Sequence, residues 1–84
     1  MRSKEWRVWR ESVFARDDYT CVTCGDRGVY LEPHHIKPRR THQHLIFDVS
    51  NGVTLCKRCH DRTKWREELF DTLFTTFIAV IGAE

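Results

Sequence analysis

No run of apolar residues in this sequence is long enough to span a bilayer. The first ten positions carry Arg2, Lys4, Glu5, Arg7 and Arg10 where a signal peptide needs an uninterrupted apolar stretch. A membrane-spanning helix and a secretory signal are therefore not expected, and the chain reads as soluble, intracellular and cytoplasmic. Bases are missing from residues 67–84, which hold four acids, whereas residues 1–66 hold all fourteen Lys and Arg against eight acids. The overall charge of +2 thus conceals a basic part of +6 and an acidic tail of −4. The basic part is the candidate for contact with a polyanion. Repeats and low-complexity segments are also absent.

Apolar mass is in short supply as well. Eighty-four residues at 40% hydrophobic content make one small domain, whose core needs help from a staple. Cys21-x-x-Cys24 and Cys56-x-x-Cys59 supply it. In a reducing compartment such pairs favour a metal over two disulfides, and each short loop spans one edge of a zinc tetrahedron. Structural zinc is worth about 10–16 kcal/mol in small peptides. The thirty-one residues between the pairs contain His34, His35 and Asn51, so zinc would clamp the two roots of that excursion.

Along the chain, residues 3–17 read as a helix with Trp6, Trp9 and Val13 on an apolar stripe and Lys4, Arg7 and Arg10 elsewhere. The stretch "YTCVTCGDRG" reads as a metal knuckle whose Gly25 and Gly28 permit a tight loop. Residues 29–36 suit a strand, and "KPRRTHQH" is a basic loop. "LIFDV" and "VTL" flank Ser50-Asn51-Gly52, a hairpin turn signal. Cys56 to about Ala83 reads as helical with a break near Thr63. Its last part presents Leu69, Phe70, Leu73, Phe74, Phe77, Ile78 and Ile81 as a wide apolar face. That face is expected to pack on the Trp6/Trp9 helix, the alternative being a dimer surface. Consecutive helical side chains diverge by about 100°, so if Cys59 faces zinc, His60 is free to address a second site.

The series "LEPHHIKP", "SNGVTLC" and "CKRCH", with both cysteine pairs, resembles the HNH motif of the ββα-metal endonucleases, in the cysteine-bearing branch found in bacteria and bacteriophages. The resemblance covers about Trp6 to Lys64. It implies a small α+β, treble-clef-like ββα-metal domain filling 1–84: an N-terminal helix (3–17), a four-cysteine zinc knuckle with a two-stranded antiparallel hairpin and helix (19–64), and an apolar C-terminal helix or helices (65–83). The activity it implies is metal-dependent DNA cleavage, by nicking or double-strand cutting. Carried over residue by residue, His34 and His60 become ligands of one catalytic divalent ion (Mg2+, Mn2+ or Ni2+), His35 the general base, and Asn51 the residue that fixes the loop. Cys21, Cys24, Cys56 and Cys59 hold one structural Zn2+.

Arg39, Arg40, Lys57, Arg58, Arg62 and Lys64 surround this site with positive charge, which suits the phosphate backbone of DNA. Several family members carry a third metal-binding histidine one helical turn after the first helix ligand; here that position is Lys64, which cannot ligate while charged. His42 and His44 fall in the basic loop and stay outside the catalytic set. The rival reading is a non-catalytic zinc module that binds nucleic acid or a partner protein. A second copy of the chain and a phage packaging machine remain open as partners.

Overall fold

The computed structural model describes residues 3–82; Ala83, where the expected C-terminal helix ends, lies outside them. The elements run α1 (Lys4–Arg16), β1 (Leu31–His35), two 3-10 turns (Gln43–Leu45 and Val49–Asn51), β2 (Gly52–Cys56), α2 (Lys57–Thr63) and α3 (Glu67–Gly82). This is the small α+β arrangement the sequence suggested. Among the described residues no helix is long and apolar enough to cross a membrane.

Ser3 caps α1, its hydroxyl accepting the Trp6 N–H at 3.1 Å. The helix buries Trp9, Val13 and Phe14, then turns through Asp18 and Tyr19, both in left-handed backbone. Its end is fixed by a clamp. Arg16 donates to both oxygens of Asp17 (2.8 and 2.7 Å), to the Val49 carbonyl at 2.9 Å and to the Gly52 carbonyl at 2.7 Å. Asp17 in turn accepts the Thr54 N–H at 3.0 Å. The knuckle follows as a tight loop closed by a bridge between Thr20 and Arg27, with Gly25 at a φ of 80°.

β1 and β2 pair antiparallel, with Leu31 opposite Cys56 and His35 opposite Gly52. Every residue of β2 is buried, since Val22 of the knuckle donates to the Thr54 carbonyl on the strand's other edge. Alternation gives the strand two faces. Gly52 and Thr54 meet α1, the Thr54 hydroxyl donating to the Val13 carbonyl at 3.4 Å. Val53 and Leu55 meet Ile36 and Phe74, with Phe70, Phe77 and Ile78 packed around them.

Two expectations fail here. The C-terminal helix does not pack on the Trp6/Trp9 helix: α1 and α3 cover opposite faces of the strand pair, because a two-stranded sheet with two apolar faces needs a cover on each. Nor does "LIFDV" form a strand with an Asn51-Gly52 turn. The strand that pairs with β2 is β1, so residues 36–51 form the connection, and Gly52 has an extended φ of −130°. Its glycine is required by proximity. A Cβ there would lie 2.7 Å from Trp9 Cζ2 and 2.7 Å from Val13 Cγ2.

Gly52→Ala is therefore expected to destabilise the fold by about 1–3 kcal/mol through overpacking. Urea unfolding of the zinc-loaded protein measures it, and an unchanged midpoint would show that α1 can retreat at no cost.

Candidate active site

Two adjacent histidines on a strand leave on opposite faces, and β1 uses that alternation to give each imidazole its own surroundings. The His34 ring lies 5.2 Å from the His60 ring at 77° and 5.5 Å from Phe74. It is buried. Burial first, then the charges of His60 and His35, lower its pKa to about 4 against the opposing effect of Glu67, so the ring is neutral at pH 7 and its lone pair is available. His35 turns the other way and stacks on Trp9, with centroids 4.1 Å apart and planes 11° apart.

His35 Nε2 lies 2.9 Å from the Ile46 carbonyl oxygen. A carbonyl can only accept, so Nε2 carries the proton and Nδ1 keeps the lone pair. Burial, followed by the charge of Arg39, holds the His35 pKa below its ordinary 6.5, although the hydrogen bond to Ile46 pulls the other way. His60 shows the complementary arrangement. Its Nδ1 lies 2.8 Å from Glu32 Oε1, which places the proton on Nδ1 and frees Nε2. A carboxylate behind an imidazole both orients it and raises its basicity towards a metal.

A cleft of about 200 Å³ beside β1 is lined by Trp6 and Arg10 of α1, Glu32, His35, Arg39 and His60, while the buried His34 lies behind His60 and is not among its lining residues. Trp6, expected in the core, is a wall of this cleft. Asn51 is buried and closes the loop behind it. Its Oδ1 accepts the Lys37 N–H at 2.8 Å, its Nδ2 donates to the Lys37 and Leu45 carbonyls at 3.3 Å each, and its own carbonyl accepts the Ile36 N–H. The loop that supplies the Ile46 carbonyl is thereby tied at both ends.

The four cysteines stand as a second cluster. All four are free thiols, and their sulfurs lie within 4.8 Å of one another, Cys24 and Cys56 at 3.8 Å. Tetrahedral zinc with Zn–S bonds of about 2.3 Å requires sulfurs about 3.8 Å apart, so the donor set fits. Titration tells the same story. Burial opposes ionisation of Cys21, yet the Thr23 hydroxyl and surrounding N–H groups bring its pKa down to about 6. Cys24, despite a hydrogen bond from the Asp26 backbone, is pushed up to about 12 by burial and by the three other thiols, and burial raises Cys59 too. Four thiolates share this space only around a positive charge. Cys56 ends β2 and caps α2, which sets Cys56 and Cys59 across the helix's first turn.

The basic residues divide. Arg39, Arg40 and Arg62 make no ion pair with any described residue, whereas Lys57 and Lys64 both pair with Asp61 (3.1 and 3.3 Å) and Arg58 pairs with Asp26 at 3.7 Å. Lys64 is not one turn on from His60 in a continuous helix: α2 ends at Thr63 and Lys64 has extended backbone. Glu32 and Trp9 escaped the sequence reading as site residues. Glu32 had a signal, since it stands two residues before His34 and hence on the same strand face. Trp9 looked only like core.

The sequence model of the HNH endonuclease family matches residues 21–65. A crystal structure of the HNH endonuclease of the deep-sea thermophilic bacteriophage GVE2, with manganese ion, is similar to this chain with a TM-score of 0.66 at 31% identity, over 79% of this chain and 75% of that one. No curated protein matches significantly.

Metal analysis of protein purified without a tag is expected to find about one zinc per chain at the cysteine cluster. Its removal by chelator should unfold the domain, with loss of the near-ultraviolet signal from Trp9. Lys64→His is expected to leave Ni2+ affinity unchanged by isothermal titration, because residue 64 lies beyond the end of α2; a gain in affinity would mean that the helix extends when metal is bound.

Proposed function

The chain belongs to the HNH endonuclease family, and from that premise we propose that it is a metal-dependent DNA endonuclease with His35 as general base. The observation that carries this reading is the hydrogen bond from His35 Nε2 to the Ile46 carbonyl, which leaves Nδ1 unprotonated in a ring held by Trp9. A neutral imidazole of depressed pKa can take a proton from water at pH 7. As that proton moves to Nδ1, water oxygen attacks phosphorus and the bond to the 3′ oxygen breaks; that oxygen takes a proton from solvent, giving a 5′-phosphate and a 3′-hydroxyl.

His34 and His60 would hold the catalytic divalent ion, with Glu32 orienting His60. When bound, such an ion supplies charge neutralisation at the scissile phosphate and at the leaving oxygen. Mg2+, Mn2+ and Ni2+ are the candidates; the manganese in the similar phage enzyme favours Mn2+. Arg39, Arg40 and Arg62, uncommitted to carboxylates, are the first choice for phosphate contacts, and Lys57, Arg58 and Lys64 would exchange their present partners for phosphate. Asn51 is a positioning residue, acting through the loop. Residues 1–84 are taken as one HNH domain that works in the cytoplasm of a bacterial host.

Supercoiled plasmid incubated with Mg2+, Mn2+ or Ni2+ tests the proposal. His35→Ala should lower cleavage at least about 100-fold while zinc content and fold stay intact; cutting at the wild-type rate would remove His35 from the mechanism. Cleavage by wild type should persist as pH falls to 6.5 and decline only below it, because protonation of the base is shifted to lower pH. Glu32→Gln should weaken the catalytic ion's binding about 10–100-fold, with excess ion restoring the rate.

A further inference from the structure

α3 has a second apolar face that the other described residues do not cover. Phe70, Phe74, Phe77 and Ile78 turn to the core, yet Leu69, Leu73 and Val80 are 70%, 55% and 60% exposed. Trp65, immediately before the helix, is 96% exposed and held in left-handed backbone at a φ of 66°. Leu69, Leu73, Thr76 and Val80 follow one another at steps of four, three and four, the 3.5-residue spacing of a seam between two paired helices. Thr76 donates its hydroxyl to the Thr72 carbonyl at 2.9 Å, so its methyl is left for the seam.

We propose that this stripe pairs antiparallel with the same stripe of a second copy of the chain, across a two-fold axis at Leu73. Three observations select this occupant. Leu69, Thr72, Leu73 and Thr76, together with Glu68, bound a hollow; the first four stand at i, i+3, i+4 and i+7, the spacing of the four-residue socket that receives a leucine from a facing helix. With Leu73 of the second copy in that socket, Leu69 meets Thr76 and Trp65 meets Val80 on each side of the axis. The stripe therefore complements itself, as an isologous contact must.

Charge agrees. Phe70, Thr72, Phe77 and Ala79, which flank the seam, are uncharged, and Asp71 points away to its ion pair with Lys37. Glu67 and Glu68 are the remaining acids of α3, near its N-terminal end. Antiparallel pairing sets the two copies of Glu68 about 15 Å apart along the helix axis, from a rise of about 1.5 Å per residue, whereas parallel pairing would set them side by side. A sixteen-residue helix pair buries on the order of 1,000 Å² in total, below the usual range of stable interfaces and in that of weak, reversible ones. On the nuclease reading above, the dimer carries two cleavage sites.

Sedimentation velocity of the zinc-loaded full chain, from about 1 to about 200 µM, should show a monomer becoming a dimer. Leu73→Glu alone and Leu73→Lys alone should each weaken association at least tenfold, with circular dichroism and zinc content unchanged, since residue 73 is exposed in the monomer. An equimolar mixture of the two variants should recover the dimer, because only at a two-fold axis does residue 73 meet itself. A wild-type monomer throughout the range overturns the proposal, as does a dimer indifferent to Leu73→Glu; failure of the mixture to recover overturns the antiparallel register. None of these readouts depends on cleavage, so they stand or fall apart from the nuclease assignment.

Discussion

The approach of Trp9 to Gly52 is the contact on which both the fold and the site depend. With no side chain at 52, α1 settles against the start of β2, and the Trp9 ring extends over the strand pair to stack on His35, the residue opposite Gly52. The indole N–H then donates to the Asp48 carbonyl at 2.9 Å, in the loop that also carries Ile46. One side chain thus sets the docking of a helix, the plane of an imidazole and the position of the loop whose carbonyl fixes that imidazole's proton. The Arg16–Asp17 clamp holds the same helix at its other end.

Strand geometry separates the two tasks that the paired histidines are proposed to share. His34 lies inward beside Phe74 and His60, where burial keeps it neutral and ready to ligate. His35 lies against Trp9 with its free nitrogen unprotonated. Were the pair one residue out of register, each ring would enter the other's environment. The cysteine cluster protects that register from below: Cys56 is both the partner of Leu31 in the ladder and a member of the tetrathiolate, so a metal bound there anchors the strand pair at the end away from the histidines.

Much of this was legible beforehand, for identifiable reasons. Cysteine spacing marks a tetrahedral site directly, and the order of "LEPHHIKP", "SNGVTLC" and "CKRCH" marks the family. A break near Thr63 was expected, and α2 ends there. Asn51-Gly52 misled, because a dipeptide that favours a turn was placed there for another purpose: the asparagine ties the loop through Lys37 and the glycine makes room for Trp9. Those purposes involve residues fourteen positions away for the asparagine and about forty for the glycine, which no local pattern can encode. The packing of α3 misled similarly, since periodicity shows that a helix has an apolar face without saying which surface receives it.

The connection between β1 and β2 has firm ends and an open tip. Lys37 is held by Asn51 and Asp71 at one root, and Asp48 by Trp9 at the other, while Arg39, Arg40 and Thr41 lie exposed between them. Added residues at such a tip cost little closure entropy and need not disturb anchored ends. The stretch that would touch the nucleic acid can therefore change in length and composition while the imidazole proposed to activate water stays where it is. Grip and chemistry would thus be separable, the one at the tip of a short loop and the other on the strand beside it, so the hold on the polyanion can be retuned without rebuilding the strand that carries the histidines.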